Sequence, residues 1–139
     1  MAEILFRYPG NQTLIPAVIR YHSWNGSVQA AGRASELKVR TLVDTGATHA
    51  AATPELIAKL GLESCGQLSH ATAVGKSMAE CYMAKIGLGE APGPEMELAN
   101  VVVAPADLQG FDLIIGREVM KYATWTFYPD NRISMVFDA

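Results

Sequence analysis

The sequence predicts an all-β domain carrying one or two short helices, and three observations lead there. Its apolar residues fall in short runs, several of them alternating with a period of two, the pattern of strands with one buried face. Turn-forming Gly, Pro, Asn and Asp punctuate those runs. One segment alone carries a full set of helix start and stop signals. The 139 residues, 50% hydrophobic and 18% charged, suit one well-packed domain over 1–139 with its core at about 14–137.

Residues 14–21 read as the first strand, with Pro16 marking an edge or a strand start. Asn25-Gly26 is a turn signal, and residues 27–34 are small and polar enough for a loop or a short hairpin arm. Residues 37–43 alternate and then turn fully apolar, as a strand does when it starts exposed and enters the core. The helix follows: Thr53 as N-cap, Pro54 at the first helical position, Glu55 beside the positive end of the dipole, and Gly61 as the stop. Leu56, Ile57 and Leu60 give it one apolar face. Residues 70–88 read as a hairpin with Val74-Gly75-Lys76 near its tip and Tyr82, Ala84, Ile86 and Leu88 alternating on the return. After a Pro/Gly-rich loop at 90–94, residues 100–104 and 111–116 read as strands, the second entered through a turn at Leu108-Gln109-Gly110. Residues 117–122 suit a short helical segment. A closing hairpin joins 124–128 to 132–137 through Pro129-Asp130-Asn131.

Leu42-Val43-Asp44-Thr45-Gly46-Ala47 delivers a carboxylate from the end of a strand to a tight, exposed loop. An ordinary turn explains the tripeptide equally well, because Asp and Gly are common turn residues. As chemistry, the pattern suits an aspartic peptidase, in which two carboxylates share one proton: one activates a water and the other polarises the scissile carbonyl. The chain has a single Asp-Thr-Gly and no Asp-Ser-Gly. Its partner carboxylate must then be Asp44 of a second copy, which predicts a symmetric homodimer with the site on its two-fold axis. A second element, Phe111-Asp112-Leu113-Ile114-Ile115-Gly116-Arg117, also ends an apolar strand in glycine and is followed by a helical segment.

With Asp44 and its loop, the Ile114-Ile115-Gly116-Arg117 run resembles the retropepsins, the single-domain retroviral-type aspartic peptidases. The resemblance covers most of the chain and implies a small closed barrel with one or two short helices. It makes Asp44 the catalytic carboxylate and Thr45 the hydroxyl that bonds across the dimer. Gly46 then gives substrate and a backbone N–H access to the carboxylate, while Ile115, Gly116 and Arg117 support the loop from beneath, the glycine allowing close backbone approach. Substrate would be lined by Ala47, Thr48 and His49 on one side and by the hairpin tip, Ala73, Val74 and Gly75, acting as a flap on the other. The chain departs from the retroviral pattern at Thr48, where an acidic residue usually pairs with the arginine. Its flap holds one glycine where several are usual, and its tail after Gly116 is longer.

The implied activity is hydrolysis of peptide bonds in a peptide or protein substrate; the alternative is a catalytically silent binding or dimerisation module with the same fold. Net charge of −3 and the lack of an aromatic-basic cluster argue against nucleic acid as a partner. The first residues resemble no signal peptide and no apolar run reaches membrane-spanning length, so a cytoplasmic protein without a membrane partner is expected. His22, His49 and His70 lack metal-ligand spacing, and neither a metal nor another cofactor is expected. A hairpin turning near Val74-Gly75 would set Cys65 and Cys81 across from each other on its arms, where a disulfide could form; two reduced, part-buried thiols are the expectation inside a cell.

Overall fold

The computed structural model describes residues 2–7, 12–23, 26, 28–72, 75–89, 94–104 and 110–137. Among the described residues, ten strands and two short helices follow in the order β1 (Ala2–Arg7), β2 (Leu14–Tyr21), β3 (Glu36–Val43), β4 (Ala51–Ala52), α1 (Pro54–Leu60), β5 (Ser64–Thr72), β6 (Gly75–Leu88), β7 (Glu95–Val103), β8 (Leu113–Ile115), α2 (Arg117–Met120), β9 (Ala123–Phe127) and β10 (Arg132–Phe137). The larger sheet runs β2-β3-β8-β4-β7-β6-β5, and β2 also pairs with β6. That extra pairing closes six strands into a barrel and leaves β5 as an outer partner of β6. The small closed barrel is therefore the observed architecture.

The core fills by alternation. In β2, Ile15, Ala17 and Ile19 are buried while their neighbours are not, and in β6 Ala84, Ile86 and Leu88 are buried with Lys85 and Gly87 half-buried between them. Leu113 and Ile115 of β8 and Val101 of β7 meet them in the same cluster. Each fully buried Ile or Leu contributes about 1.5–3 kcal/mol. Pro16 sits at the end of the β2–β6 register, which starts at Ala17 against Leu88; its carbonyl accepts the Gly89 N–H at 2.9 Å, so the missing proline N–H costs the ladder only its terminal bond.

A second sheet, β1-β10-β9, lies against the barrel through Ile133, Met135 and Phe137 of β10 and Ile4 and Phe6 of β1. The sequence foretold the β9–β10 hairpin. Its connecting turn places Asn131 at φ 64°, and Arg132, hydrogen-bonded to Asp130, holds that carboxyl below the usual range. Strand β1 is an addition: it pairs from Ala2 opposite Phe137 to Arg7 opposite Arg132, a partner at the far end of the chain that local pattern does not reveal.

Helix α1 forms as its signals dictate. Thr53 Oγ1 accepts the Leu56 N–H at 3.3 Å, Pro54 opens the helix, and Gly61 ends it in the left-handed region at φ 59°. Residues around 29–33, read as loop or hairpin arm, take the loop form and finish the helix from outside. Gln29 Nε2 donates to the Leu60 carbonyl and Arg33 Nη1 to the Ala58 carbonyl, both at 2.8 Å, the second adding to the bond that the Gly61 N–H already makes there. Strand β5 starts at Ser64, six residues before the expected hairpin arm. The hairpin tip at Ala73 and Val74, Asn25, residues 90–93, and Leu108 and Gln109 lie outside the described residues.

Two local chemistries give predictions. Thr41 of β3 is fully buried, and its hydroxyl finds no partner among the described residues. Thr41→Val keeps the shape and removes the unsatisfied group, so the unfolding free energy should rise by about 1 kcal/mol in a denaturant titration. At the start of the β5–β6 pair, where the register shifts between Ser64 and Gly66, Cys65 Sγ stands 3.2 Å from Cys81 Sγ and against the Ala99 carbonyl. Both are free thiols. Burial, then the neighbouring Cys81 thiol, push the Cys65 thiol up to about 12. The fold thus favours the neutral thiol, a contribution complete below the ordinary thiol pKa and lost as pH rises toward 12. Since the thiolate is the nucleophile, iodoacetamide at pH 8 should alkylate native Cys65 roughly 10³-fold more slowly than the urea-unfolded chain, read by mass spectrometry.

Candidate active site

Strand β3 leads directly into the Asp44 loop, and its last residues pair in parallel with β8: Thr41 with Leu113, Leu42 with Ile114, Val43 with Ile115. The two glycine-terminated elements of the sequence therefore lie side by side. Burial drives this, because Val43, Leu113 and Ile115 point into the barrel core. One further bond extends the ladder past the strand end, the Asp44 N–H donating to the Ile115 carbonyl at 3.0 Å.

Beyond it the chain turns back on itself. The Ala47 N–H donates to the Asp44 carbonyl at 3.1 Å, and the Gly46 N–H to Asp44 Oδ1 at 3.0 Å. The second bond fixes the carboxylate's rotamer and leaves Oδ2 open to the surface. Asp44, Thr45 and Gly46 are all exposed in the single chain, as is Thr48, while Ala47 and His49 are half-buried. A carboxylate presented outward, on a loop held by a core strand pair, is poised to meet a second group.

Gly116 sits directly under this loop. A Cβ built on it would fall 2.8 Å from the Ala47 carbonyl carbon and 3.0 Å from the Ala47 Cβ, with the carbonyl oxygen closer still. Its backbone is extended (φ −127°, ψ −154°), so space rather than conformation requires glycine. Gly116 opens α2, whose first N–H groups lack partners within the helix. They find them in the loop: Arg117 N–H donates to the Ala47 carbonyl at 2.8 Å and Glu118 N–H to the Thr48 carbonyl at 3.2 Å. Arg117 itself is exposed, and its Nε donates to the Thr45 carbonyl at 3.3 Å. With Thr48 in place of an acid, the arginine holds the loop by its backbone.

Two groups that the sequence did not single out belong here. Glu118 Oε1 lies 2.6 Å from His49 Nδ1 and accepts from Asn100 Nδ2 of β7 at 3.3 Å. His49 was expected to line a substrate pocket; its ring is engaged with α2. The sequence held no signal for this contact, because it depends on how α2 meets the loop. Of the flap candidates, Gly75 opens β6 at φ 126°, whereas Ala73 and Val74 lie outside the described residues. Among the described residues no group of three or more His, Cys, Asp or Glu is placed to hold a metal, and no helix is long and apolar enough to cross a membrane.

Comparison with known families matches residues 25–119 to the aspartyl protease family, a span that contains both glycine elements and most of the barrel. The chain belongs to that family. This aspartyl protease family member also shares its fold with a retropepsin-like aspartic protease from Rickettsia conorii, solved by crystallography. The two align with a TM-score of 0.62 at 18% identity, over 99% of this chain and 94% of the other. No curated protein sequence matches significantly. The retropepsin-like barrel that the Asp44 and Gly116 motifs implied is the fold of this aspartyl protease family member.

Proposed function

We propose that this protein is an aspartic endopeptidase that acts as a homodimer. The observation that carries the reading is the single Asp44, exposed at the end of β3 and locked by its own Gly46 N–H, on a loop buttressed by β8 and Gly116. One carboxylate cannot both activate water and polarise a carbonyl. Asp44 of the partner subunit supplies the other, the pair holding one proton between them as like charges at close range require. A water held between the carboxylates gives a proton to the ionised one as it attacks the scissile carbonyl, whose oxygen takes the proton of the other; as the tetrahedral species collapses, the proton taken from water passes to the leaving amine and a gem-diol hydroxyl returns its proton to the pair.

In this arrangement Thr45 bonds across the two-fold axis, and Gly46 leaves room for the peptide. Ala47 and Thr48 line the adjoining subsites, bordered by His49. The β5–β6 hairpin closes over the substrate as a flap with Ala73, Val74 and Gly75 at its tip, excluding water and offering backbone bonds to an extended peptide.

The test is incubation of the purified protein with a diverse peptide mixture from about pH 4 to 7, reading new termini by mass spectrometry. Cleavage strongest at the acidic end and blocked by a transition-state analogue of aspartic peptidases supports the reading. No cleavage at concentrations where light scattering reports a dimer would sink it, leaving a silent binding module.

A further inference from the structure

Loop residues 47, 48 and 49 are taken in sequence by the first turn of α2: the Ala47 carbonyl by the Arg117 N–H, the Thr48 carbonyl by the Glu118 N–H, and the His49 ring by the Glu118 carboxylate. The third of these links is a side-chain contact and the shortest, at 2.6 Å. Asn100 Nδ2 reaches the same carboxylate oxygen from β7, so three separate elements converge on one group. The His49 and Glu118 side chains are 19% and 18% exposed, whereas the pairs made by Arg20, Lys59, Lys85 and Arg132 involve side chains 36–77% exposed. Water and salt screen those surface pairs, and a sheltered contact keeps its geometry far better.

Entry to the loop is pinned separately by the Asp44 N–H on the Ile115 carbonyl. Both ends of the Asp44 turn are therefore anchored to the continuous segment 115–118. Without the His49–Glu118 contact, the link of residues 47–49 to α2 would rest on the two backbone bonds of a four-residue helix, between the exposed Thr45 and Gly46 on one side and Ala50, whose carbonyl takes the Val102 N–H, on the other. We propose that His49 and Glu118, braced by Asn100, are positioning residues that set where the Asp44 carboxylate stands. Their effect on catalysis rests on the peptidase reading; their effect on the loop does not.

The test compares Glu118→Ala, His49→Ala, the double variant and Glu118→Gln with wild type, in kcat and KM and in amide hydrogen exchange at residues 45–48. Glu118→Ala and His49→Ala should each lower kcat about 10- to 100-fold, with KM within about twofold, because the reacting group is displaced while substrate contacts remain. The double variant should be no worse than either single one, as expected for two ends of one contact. Glu118→Gln keeps an acceptor oxygen for both partners and should restore kcat to within about threefold. Exchange at 45–48 should quicken in the alanine variants and not in Glu118→Gln. Alanine variants that lose thermal stability yet, when folded, keep wild-type kcat and loop exchange would overturn the proposal in favour of a purely structural pair. Should they not fold, His49→Phe keeps the ring volume without the nitrogen and is read the same way. If wild type cleaves nothing, the peptidase reading fails, and unchanged loop exchange in Glu118→Ala would separately overturn the positioning role.

Discussion

Asp44→Asn should abolish peptide cleavage, by at least about 10³-fold in kcat/KM, while leaving the unfolding transition within about 0.5 kcal/mol of wild type. The two expectations have different physical sources. Asparagine keeps the size of the side chain and an amide oxygen that accepts the Gly46 N–H as Oδ1 does at 3.0 Å, so the loop keeps its shape. The residue is exposed and contributes nothing to the core, where large stability effects arise. What the substitution removes is the group that exchanges a proton, and an amide does not replace a general acid or base. Because each dimer would use one Asp44 from each copy, the variant should also poison the wild type. At an equimolar mixture with free exchange of subunits, half of the dimers pair one aspartate with one asparagine. If those mixed dimers are silent, only a quarter of the dimers keep two aspartates and activity falls to about one quarter of that of undiluted wild type at the same total concentration. Activity falling only to one half would mean that each chain acts alone and would remove the shared dyad, even with Asp44 essential.

What could be read in the sequence divides along the line between local and distant interactions. Helix α1 was legible to the residue, since Thr53, Pro54 and Gly61 act on their own backbone within one turn. Strand β2 and the β9–β10 hairpin were legible because alternation and a tight turn are also local. Strand β4 was not. It is two alanines, and they are a strand only because β7 and β8 lie on either side of them. Strand β1 escaped for a similar reason, its partner being the last strand of the chain. At the site, Asp44 and Gly116 stood out by motif, and their side-by-side placement followed from the family resemblance. The His49–Glu118 contact depends on how α2 meets the loop and involves residue types common on any surface, so no pattern marked it. Arg117 was legible as a residue and not as a contact: with Thr48 following Ala47, its guanidinium turns to the Thr45 carbonyl.

Among the described glycines, Gly116→Ala should be the most damaging replacement. The added Cβ meets backbone: the Ala47 carbonyl carbon at 2.8 Å and the Ala47 Cβ at 3.0 Å. A flexible side chain could swing away from such a contact, but Ala47 is held on both sides, its N–H on the Asp44 carbonyl and its own carbonyl on the Arg117 N–H. Relief requires either β8 to withdraw from β3, breaking the packing of Ile115 and Leu113 in the core, or the loop to lift. The first should cost about 3 kcal/mol, the upper end of overpacking penalties in well-packed interiors. The second should displace the Asp44 carboxylate by a distance of the order of an ångström and lower kcat about 10²-fold. A control separates this from a general intolerance of glycine replacement. At Gly87 of β6 the nearest atoms to a built Cβ are at 3.5 and 3.8 Å, ordinary contact, so Gly87→Ala should be neutral or stabilise by up to about 1 kcal/mol. Denaturant midpoints and kcat for the pair decide the matter: a Gly116→Ala protein as stable and as active as Gly87→Ala would mean that the loop does not rest on Gly116, and the support assigned to β8 would fall with it.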